Sequence, residues 1–338
     1  MRSRLLLAVT AVFLAACGNE TRTAQPKAEP ASAAQTEPEV SVATTVAFTE
    51  GPAQGPDGLI YFTDVTNNRI LRFNPKNRSQ EVFRADSNRT NGLLFDNEGR
   101  LIACESSGPE RNQPQLTRTD MKTGKVEVLA AGFEGKQFNG PNDVTIDSKG
   151  RLYFTDPAPD STSQSPAKPK NATGIPAVYR LDQDGKLTRI LAGPQTEWPN
   201  GLVISPDDKV FYLIEAHKTE GGARAIRAFD LSADGTVSNM RVLHNFYPGR
   251  SADGMAIDTQ GNLYAAAGLH SRRGTQETLD TKCGVYVISP SGKLLRFVPV
   301  PEDTITNTAF GGPDMRTLYI TAGKTLFQMR TDIAGMNR

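Results

Sequence analysis

The string KGRLYFTD at residues 149–156 opens with a turn and continues as a strand-like run, and similar strings recur along the chain. Each copy begins with a tight-turn signal and goes on with β-branched, aromatic or aliphatic residues, as a β-hairpin entering a buried strand does. The copies are DGLIYFTD (57–64), EGRLIACE (98–105), KGRLYFTD (149–156), DKVFYLIE (208–215), QGNLYAAA (260–267) and MRTLYITA (315–322).

The spacing of these copies predicts the fold. A second strand-like run follows each copy, and successive turns lie 41, 51, 59, 52 and 55 residues apart. Short strands between turns, with almost no helical periodicity, indicate an all-β protein. Six units of this size, each a four-stranded antiparallel sheet, predict a six-bladed β-propeller, whereas a tandem of β-sandwiches would not explain six equivalent units. Residues 40–48 precede the first unit and are expected to pair with the last blade and close the ring.

The N-terminal segment carries a targeting signal. Residues 1–16 combine a basic start with an apolar core and read as a signal peptide that ends before Cys17, as in a bacterial lipobox. The expectation is a lipoprotein acylated at Cys17, with Gly18 favouring the outer membrane of a Gram-negative host; an ordinary signal peptide with a chance cysteine is the alternative. Residues 17–40 lack aromatic residues and predict a flexible tether. Residues 41–338 would then form a periplasmic propeller.

The charge balance disfavours several function classes. The chain has 38 Lys and Arg against 37 Asp and Glu, without basic clusters interleaved with aromatics, so no nucleic-acid partner is expected, and the membrane is reached only through the lipid anchor. Cys104 and Cys283 lie in strand-like runs and are expected to be buried free thiols, although secretion would permit a disulfide. The chain contains no G-x-S-x-G, H-E-x-x-H or C-x-x-C motif and three histidines, which disfavours a Ser-His-Asp site.

A polar residue precedes each hairpin turn by eight or nine residues. The six positions are Glu50, Asn91, Asn142, Asn200, Asp253 and Asn307. A position repeated once per blade at the start of the innermost strand lies at one mouth of the central channel, so these side chains are expected to converge there. One Asn-Gly or Asp-Gly pair is explained by a turn, and Asp143 reads as a local turn-former. Six at matched offsets favour a ring of hard oxygen ligands suited to Ca²⁺ or Mg²⁺.

These residues and strings resemble the family of senescence marker protein 30, gluconolactonases and related six-bladed lactonases. The resemblance covers roughly residues 46–328, nearly the whole predicted propeller. Single strings are weakly specific, whereas their order together with the ring residues is strongly specific. The markers are Glu50-Gly51-Pro52, NGLLFDNEGRLIACE from Asn91, PNDVTIDSKGRLYFTDP from Pro141, PNGLVISPDDKVFYL from Pro199, ADGMAIDTQGNLYAA from Ala252 and TNTAFGGPDMRTLYITA from Thr306.

The resemblance implies one divalent ion at the channel mouth, with Ca²⁺ expected first and Mg²⁺, Mn²⁺ or Zn²⁺ as alternatives. Glu50, Asn200 and Asp253 would be its direct ligands, and Asn142 would be a fourth ligand or would contact the substrate and the attacking water. The implied reaction is hydrolysis of a small, sugar-derived or related lactone, in which the ion polarises the ring carbonyl and Asp253 assists deprotonation of the water. The matched positions that are not usual ligands in the family would lie behind the ligands or line the channel: Asn91 and Asn307.

Two departures from the family pattern leave the substrate open. Gly140 stands where some sugar-lactone members carry arginine, and Ser106 stands where many members carry histidine. Four further polar residues follow inner-strand segments and are candidate substrate contacts, with a surface-loop position as the alternative for each: Glu105, Asp156, His217 and His270. The insert at 157–176 is expected to form a loop over one face. Organophosphate or aryl-ester hydrolysis on the same ion, and a non-catalytic propeller stabilised by the ion, are the alternative functions.

Overall fold

The architecture is a ring of six sheets. The computed structural model describes residues 39–107, 113–158 and 171–336, and every regular element in these ranges is a β-strand. Of 26 strands, 24 form six four-stranded antiparallel sheets, which confirms the predicted six-bladed β-propeller. No described segment forms a helix that could cross a membrane. The predicted signal peptide, Cys17 and the tether up to residue 38 lie outside the described residues, as do residues 159–170 of the predicted loop.

The strands follow the chain blade by blade, from the channel outward. The chain starts with β1 (Ser41–Thr45), which belongs to blade VI. Blade I contains β2 (Thr49–Gln54), β3 (Ile60–Asp64), β4 (Arg69–Phe73) and β5 (Gln80–Ala85), and blade II contains β6 (Thr90–Phe95), β7 (Leu101–Glu105), β8 (Gln115–Thr119) and β9 (Val126–Ala130). A two-stranded ribbon, β10 (Gly132–Phe133) and β11 (Lys136–Gln137), precedes blade III, which contains β12 (Val144–Ile146), β13 (Leu152–Asp156), β14 (Ala177–Leu181) and β15 (Leu187–Ala192).

The second half of the ring repeats this order. Blade IV contains β16 (Pro199–Ile204), β17 (Val210–Ala216), β18 (Arg224–Leu231) and β19 (Val237–Asn245). Blade V contains β20 (Ala252–Ile257), β21 (Leu263–Ala267), β22 (Gly284–Ile288) and β23 (Leu294–Pro299). Blade VI contains β24 (Ile305–Gly311), β25 (Thr317–Ala322) and β26 (Thr325–Arg330), with β1 as its outermost strand.

The ring is closed by the N-terminal strand, as the sequence predicts. β1 pairs antiparallel with β26, and Ser41 lies opposite Gln328. Ala43 of β1 is buried in a cluster that also contains Leu326 of blade VI and Phe62 of blade I. Because strands from both ends of the propeller complete one sheet, the hydrogen bonds of that sheet hold the two ends together.

Apolar side chains of neighbouring blades pack against each other and form the core. Between blades II and III, Phe138, Phe154 and Tyr179 are fully buried, with ring centroids 5.1–5.4 Å apart. Such aromatic contacts add to the free energy gained by burying the rings. Cys104 and Cys283 are buried and free in the described structure, which confirms that expectation.

The hairpin turns are equivalent in all six blades, which corrects one sequence expectation. The eight-or-nine offset predicted a variable turn, but a residue with positive φ follows the ring residue by eight positions in every blade. Glycine takes this left-handed position in four blades, as expected for a residue without Cβ. Two blades use other residues there, Asp208 and Met315. The expected offset of nine came from aligning Lys209 and Arg316 with the glycines of the other blades.

The inner strands approach one another so closely at the ring residues that glycine is needed. The pairing register shifts between Glu50 and Ala53, at the matching places of blades II, IV and V, and just before Asn307 in blade VI, so these strands bulge near the ring residues. A Cβ on Gly201 would lie 2.7 Å from the Asp253 carbonyl oxygen, and one on Gly254 would lie 2.1 Å from the Asn307 side chain. Glycine after the ring residue therefore serves this close packing in blades IV and V.

Candidate metal centre

Three predicted ligands meet at one mouth of the channel, at the start of the inner strands of blades I, IV and V. Asn200 donates from Nδ2 to Oδ1 of Asp253 at 2.6 Å, across the boundary between blades IV and V. Arg250 donates from Nη2 to the other oxygen, Oδ2, at 2.5 Å. Since the amide nitrogen of Asn200 is engaged, its oxygen is the atom left to bind a cation. The two residues thus present an oxygen-rich edge.

Glu50 completes this set from blade I, and burial and neighbouring acids disfavour the charged form of its carboxylate. Its side chain is almost fully buried, and one carboxylate oxygen accepts a 3.2 Å hydrogen bond from Gly51 N. Burial, together with repulsion from Asp253 and Asp143, holds the pKa of Glu50 well above its usual value, and Arg250 opposes this shift. A buried carboxylate beside two others is unfavourable in its charged form, and a cation bound nearby would stabilise that form.

Asp143 belongs to the channel, a role that the sequence reasoning missed. Its Oδ1 accepts a hydrogen bond from Val144 N at 2.9 Å, which is the local turn role that was expected. Its Oδ2 accepts a 3.2 Å hydrogen bond from Asn307 Nδ2 of blade VI, on the opposite side of the ring. Burial raises the pKa of Asp143 to about 7, although these two hydrogen bonds lower it and repulsion from Asp253 adds to the rise. Asp143 and Asn307 therefore bridge the channel.

A cavity of about 650 Å³ extends from this bridge towards the opposite face. Asp143 and Asn307 lie at the end next to the ring residues, and Phe95, Met315 and Met336 line the cavity near the hairpin turns. Met336 is held by a hydrogen bond from its N to the Ile257 carbonyl at 3.0 Å. The polar mouth thus lies at one end of a channel that is lined by both polar and apolar groups.

The remaining ring residues contribute backbone contacts. The Asn142 carbonyl accepts a hydrogen bond from Gly92 N at 2.7 Å, and the Asn91 carbonyl accepts one from Thr63 Oγ1 at 3.1 Å. Both side chains are partly exposed at the mouth. Asn142 lies next to Asp143, so it remains a candidate for the fourth ligand or a substrate contact, and Asn91 remains a candidate channel-lining residue.

Glu105 is fully engaged in a buried hydrogen-bond network. Its Oε1 accepts from Arg84 Nη2 and Thr117 Oγ1, both at 2.9 Å. Its Oε2 accepts from Asn88 Nδ2 at 3.2 Å and from Gln115 Nε2 at 2.8 Å. A carboxylate with four donors and 1% exposure has little left to offer a substrate, so the geometry favours a structural role over either sequence alternative.

The same role recurs at the end of the second strand in blades I to IV. Asp156 accepts hydrogen bonds from Asn139 N at 3.0 Å and from Gly140 N at 2.7 Å. Glu215 accepts from Trp198 N at 2.7 Å in the same way. Each acid thereby fixes the segment that leads into its blade's inner strand and ring residue. The four acids are Asp64, Glu105, Asp156 and Glu215.

The buried Asp156 predicts a pH-dependent stability. Burial raises its pKa to about 7, against the hydrogen bonds from Asn139 and Gly140 that lower it, while the unfolded value is about 3.9. Because the folded state favours the protonated form, the contribution of Asp156 to stability is fully present below about pH 4 and is lost as the pH rises to about 7. Three pKa units correspond to at most about 4 kcal/mol.

We therefore expect the stability difference between wild type and Asp156→Asn to shift with pH. The wild-type free energy of unfolding minus that of the variant should fall between pH 4 and pH 8, since the variant cannot ionise there. Urea denaturation of both proteins across this range measures the difference. A constant difference would contradict the assignment.

The two histidines lie on the rim and already have partners. His217 Nδ1 contacts Thr219 Oγ1 at 2.9 Å, and its ring meets the edge of Trp198 with centroids 5.9 Å apart. His270 Nε2 contacts the Val300 carbonyl at 2.7 Å, beside the outermost strand of blade V. Both remain candidate substrate contacts, and His217 contacts Trp198, which lies two residues before Asn200.

The two departures from the family pattern face each other. A Cβ on Gly140 would lie 3.7 Å from the Ser106 side chain. Ser106 Oγ donates to the Pro141 carbonyl at 3.0 Å, immediately before Asn142. The glycine and the serine thus lie side by side next to Asn142.

The donor set fits a divalent ion. Among the described residues no three His, Cys, Asp or Glu side chains form a metal-binding group, and this agrees with a set in which asparagine supplies part of the ligands. Glu50 and Asp253 would balance a doubly charged ion, and Asn200 would add a neutral oxygen. Burial and repulsion from Asp253 and Asp143 raise the pKa of Glu50, and a bound cation would oppose this shift. The residues present therefore suit a hard cation.

The fold and the mouth together define a six-bladed propeller with an acidic and amide-rich channel entrance. The chain belongs to the SMP-30/gluconolactonase/LRE-like family, whose model matches residues 48–324. It is 27% identical to a gluconolactonase of Zymomonas mobilis, over 87% of this chain and 81% of that protein, and 31% identical to regucalcin of Sus scrofa, over 81% and 83%. The solved gluconolactonase of Xanthomonas campestris is 28% identical, with a TM-score of 0.71 over 87% of this chain and 90% of that one.

Proposed function

We propose that this protein is a metal-dependent lactonase that opens a small, sugar-derived or related lactone. The observation that carries the proposal is the grouping of Glu50, Asn200 and Asp253 at the channel mouth of a propeller of this family. Relatives described as gluconolactonase and pentonolactonase, from Zymomonas mobilis and Haloferax volcanii, support the substrate class.

The residues take distinct roles in this proposal. Glu50, Asn200 and Asp253 hold one divalent cation, and Asn142 is the fourth ligand or orients the substrate. The ion, when bound, polarises the lactone carbonyl and lowers the pKa of a water. Asp253 accepts the proton of the attacking water through a carboxylate oxygen, and Arg250 and Asn200 hold that carboxylate in place.

The proposed ion is Ca²⁺, with Mg²⁺, Mn²⁺ and Zn²⁺ as alternatives. The ligands are carboxylate and amide oxygens, which hard cations prefer. No histidine or cysteine is among the four predicted ligands, which disfavours a softer metal. Metal titration followed by mass spectrometry of the bound ion ranks the alternatives.

A substrate panel tests the function. Aldonolactones, alkyl lactones, aryl esters and phosphotriesters are assayed with and without a chelator. Lactone turnover that the chelator abolishes and the ion restores supports the proposal. Preferred turnover of esters or phosphotriesters would point to the second hydrolytic activity. A metal-bound protein without turnover would point to a binding propeller.

We also propose that the protein is a lipoprotein of the bacterial envelope. The basic start, the apolar core and Leu14-Ala15-Ala16-Cys17 support this. The domain would face the periplasm on a tether that ends near residue 40. The mass of the mature N-terminus distinguishes an acylated Cys17 from an ordinary cleavage product.

A further inference from the structure

Arg250 reaches from the segment before β20 into the acidic mouth. The residue is 8% exposed, and its Nη2 donates to Asp253 Oδ2 at 2.5 Å. Its Nη1 donates to the Ile305 carbonyl at 2.9 Å and to the Gly268 carbonyl at 3.4 Å. The guanidinium is therefore bound to blade VI and to the end of β21 as well as to the predicted ligand.

The segment that carries Arg250 is itself fixed. Arg224, a fully buried arginine of blade IV, donates to the Pro248 carbonyl at 2.6 Å. Thr281 Oγ1 donates to the Phe246 carbonyl at 3.1 Å. Because the carbonyls of Phe246 and Pro248, just before Arg250, are both held by donors from buried residues, the position of the Arg250 guanidinium is set before any ligand binds.

Three acidic side chains surround Arg250 at the mouth, and the other nearby arginine, Arg273, is more exposed than Arg250. Glu50, Asp143 and Asp253 repel one another at the mouth, and Arg250 acts electrostatically on Glu50 and bonds Asp253. Arg273 also acts on Asp253 from a distance, but its side chain is one-third exposed and lies 3.6 Å from Asp303. Solvent screens such an exposed charge far more than a buried one.

We propose that Arg250 is a resident counter-cation of the metal centre. It positions the Asp253 carboxylate and offsets part of the clustered negative charge. The repulsion among Glu50, Asp143 and Asp253 is therefore smaller when no ion is bound. The guanidinium also repels a divalent cation bound to the same carboxylates, and this weakens binding so that the ion can exchange. The inference rests on the ion site of the proposed function and assigns Arg250 the role of setting its affinity.

Replacing Arg250 by a neutral residue should tighten ion binding. We expect Arg250→Gln to bind Ca²⁺ tenfold or more tightly than wild type, which corresponds to about 1.4 kcal/mol. Arg250→Lys keeps the charge and should stay within about threefold of wild type, as should Arg273→Gln, the control at the exposed neighbouring cation. Isothermal titration calorimetry with Ca²⁺ measures all four dissociation constants, and near-ultraviolet circular dichroism checks each fold.

Arg250→Met, which keeps the aliphatic length, is measured alongside in case the glutamine variant fails to fold, and it should shift in the same direction. Unchanged or weaker Ca²⁺ binding by the neutral variants would overturn the counter-cation role and leave the ion site intact. Absence of Ca²⁺ binding by wild type and variants alike would overturn both.

Discussion

Asp253→Asn should lower kcat/KM for lactone hydrolysis by about 10³-fold, since loss of a positioned proton acceptor typically costs 10²–10⁴-fold. Asparagine keeps the shape and one oxygen near Asn200 and Arg250, but it cannot accept the proton of the attacking water. The ligand and the proton-acceptor roles separate when the rate is measured against ion concentration. A kcat that stays low at saturating ion identifies the proton acceptor, whereas recovery with excess ion identifies a ligand alone.

Asp184→Asn is the matched control for this variant. Asp184 is an exposed acid in the turn between β14 and β15, and its Oδ1 accepts a hydrogen bond from Lys186 N. Its replacement should leave kcat/KM within about twofold, as surface substitutions away from a site do. Full turnover by Asp253→Asn with the ion bound would rule out Asp253 as the proton acceptor.

Glu50→Gln should remove most of the stabilisation that the ion provides. An ion present at 100 times its dissociation constant raises the free energy of unfolding of wild type by about 2.7 kcal/mol. We expect the dissociation constant of the variant to be 10²–10³-fold larger, a loss of about 3–4 kcal/mol of binding free energy. The same ion concentration should therefore give almost no rise in its free energy of unfolding. Thermal and urea unfolding with and without Ca²⁺ measure this.

The ion-free Glu50→Gln protein should show the opposite trend. Glu50 is buried beside Asp253 and Asp143, so its neutral isostere should be as stable as wild type or more stable without the ion. Glu81→Gln is the control, because Glu81 is exposed on β5 and pairs with Arg72. A Glu50→Gln protein that keeps the full ion-induced rise would contradict the assignment of Glu50 as a ligand.

Much of the fold was predictable because the blade repeats. Strand-and-turn strings of one kind occur six times, and this repetition predicted six blades, the closing strand and the placement of Glu50, Asn200 and Asp253 at one mouth. Repeated positions need no knowledge of tertiary contacts, since the symmetry of the ring places them. The offset of nine in two blades was wrong, because Asp208 and Met315 adopt the positive φ that glycine adopts elsewhere.

Contacts between unlike positions were not predictable in this way. Asp143 looks like a turn residue in sequence, and its contact with Asn307 depends on which residue the opposite blade presents. Arg250 looks like any surface arginine until β20 and the end of β21 enclose it. Both roles arise from packing across blades, which spacing along one blade does not report.

A repeated signal for a different role was also present in the sequence. The strings that indicate the fold end in an acid in blades I to IV, and those acids bind the backbone or side chains of the segment leading into the inner strand. Taken singly, Glu105 and Asp156 suggested substrate contacts. Taken as a repeat they indicate an anchor, because a substrate meets a site once whereas an anchor can recur from blade to blade, as it does in blades I to IV.

Lactone turnover by the purified protein, measured together with its ion content, decides whether the reaction depends on the ion. We expect one divalent ion per chain, turnover that disappears with a chelator and returns with the ion, and much less bound ion and turnover in Glu50→Gln at the same ion concentration. Lactone turnover that persists after the ion has been removed would rule out a metal-dependent reaction.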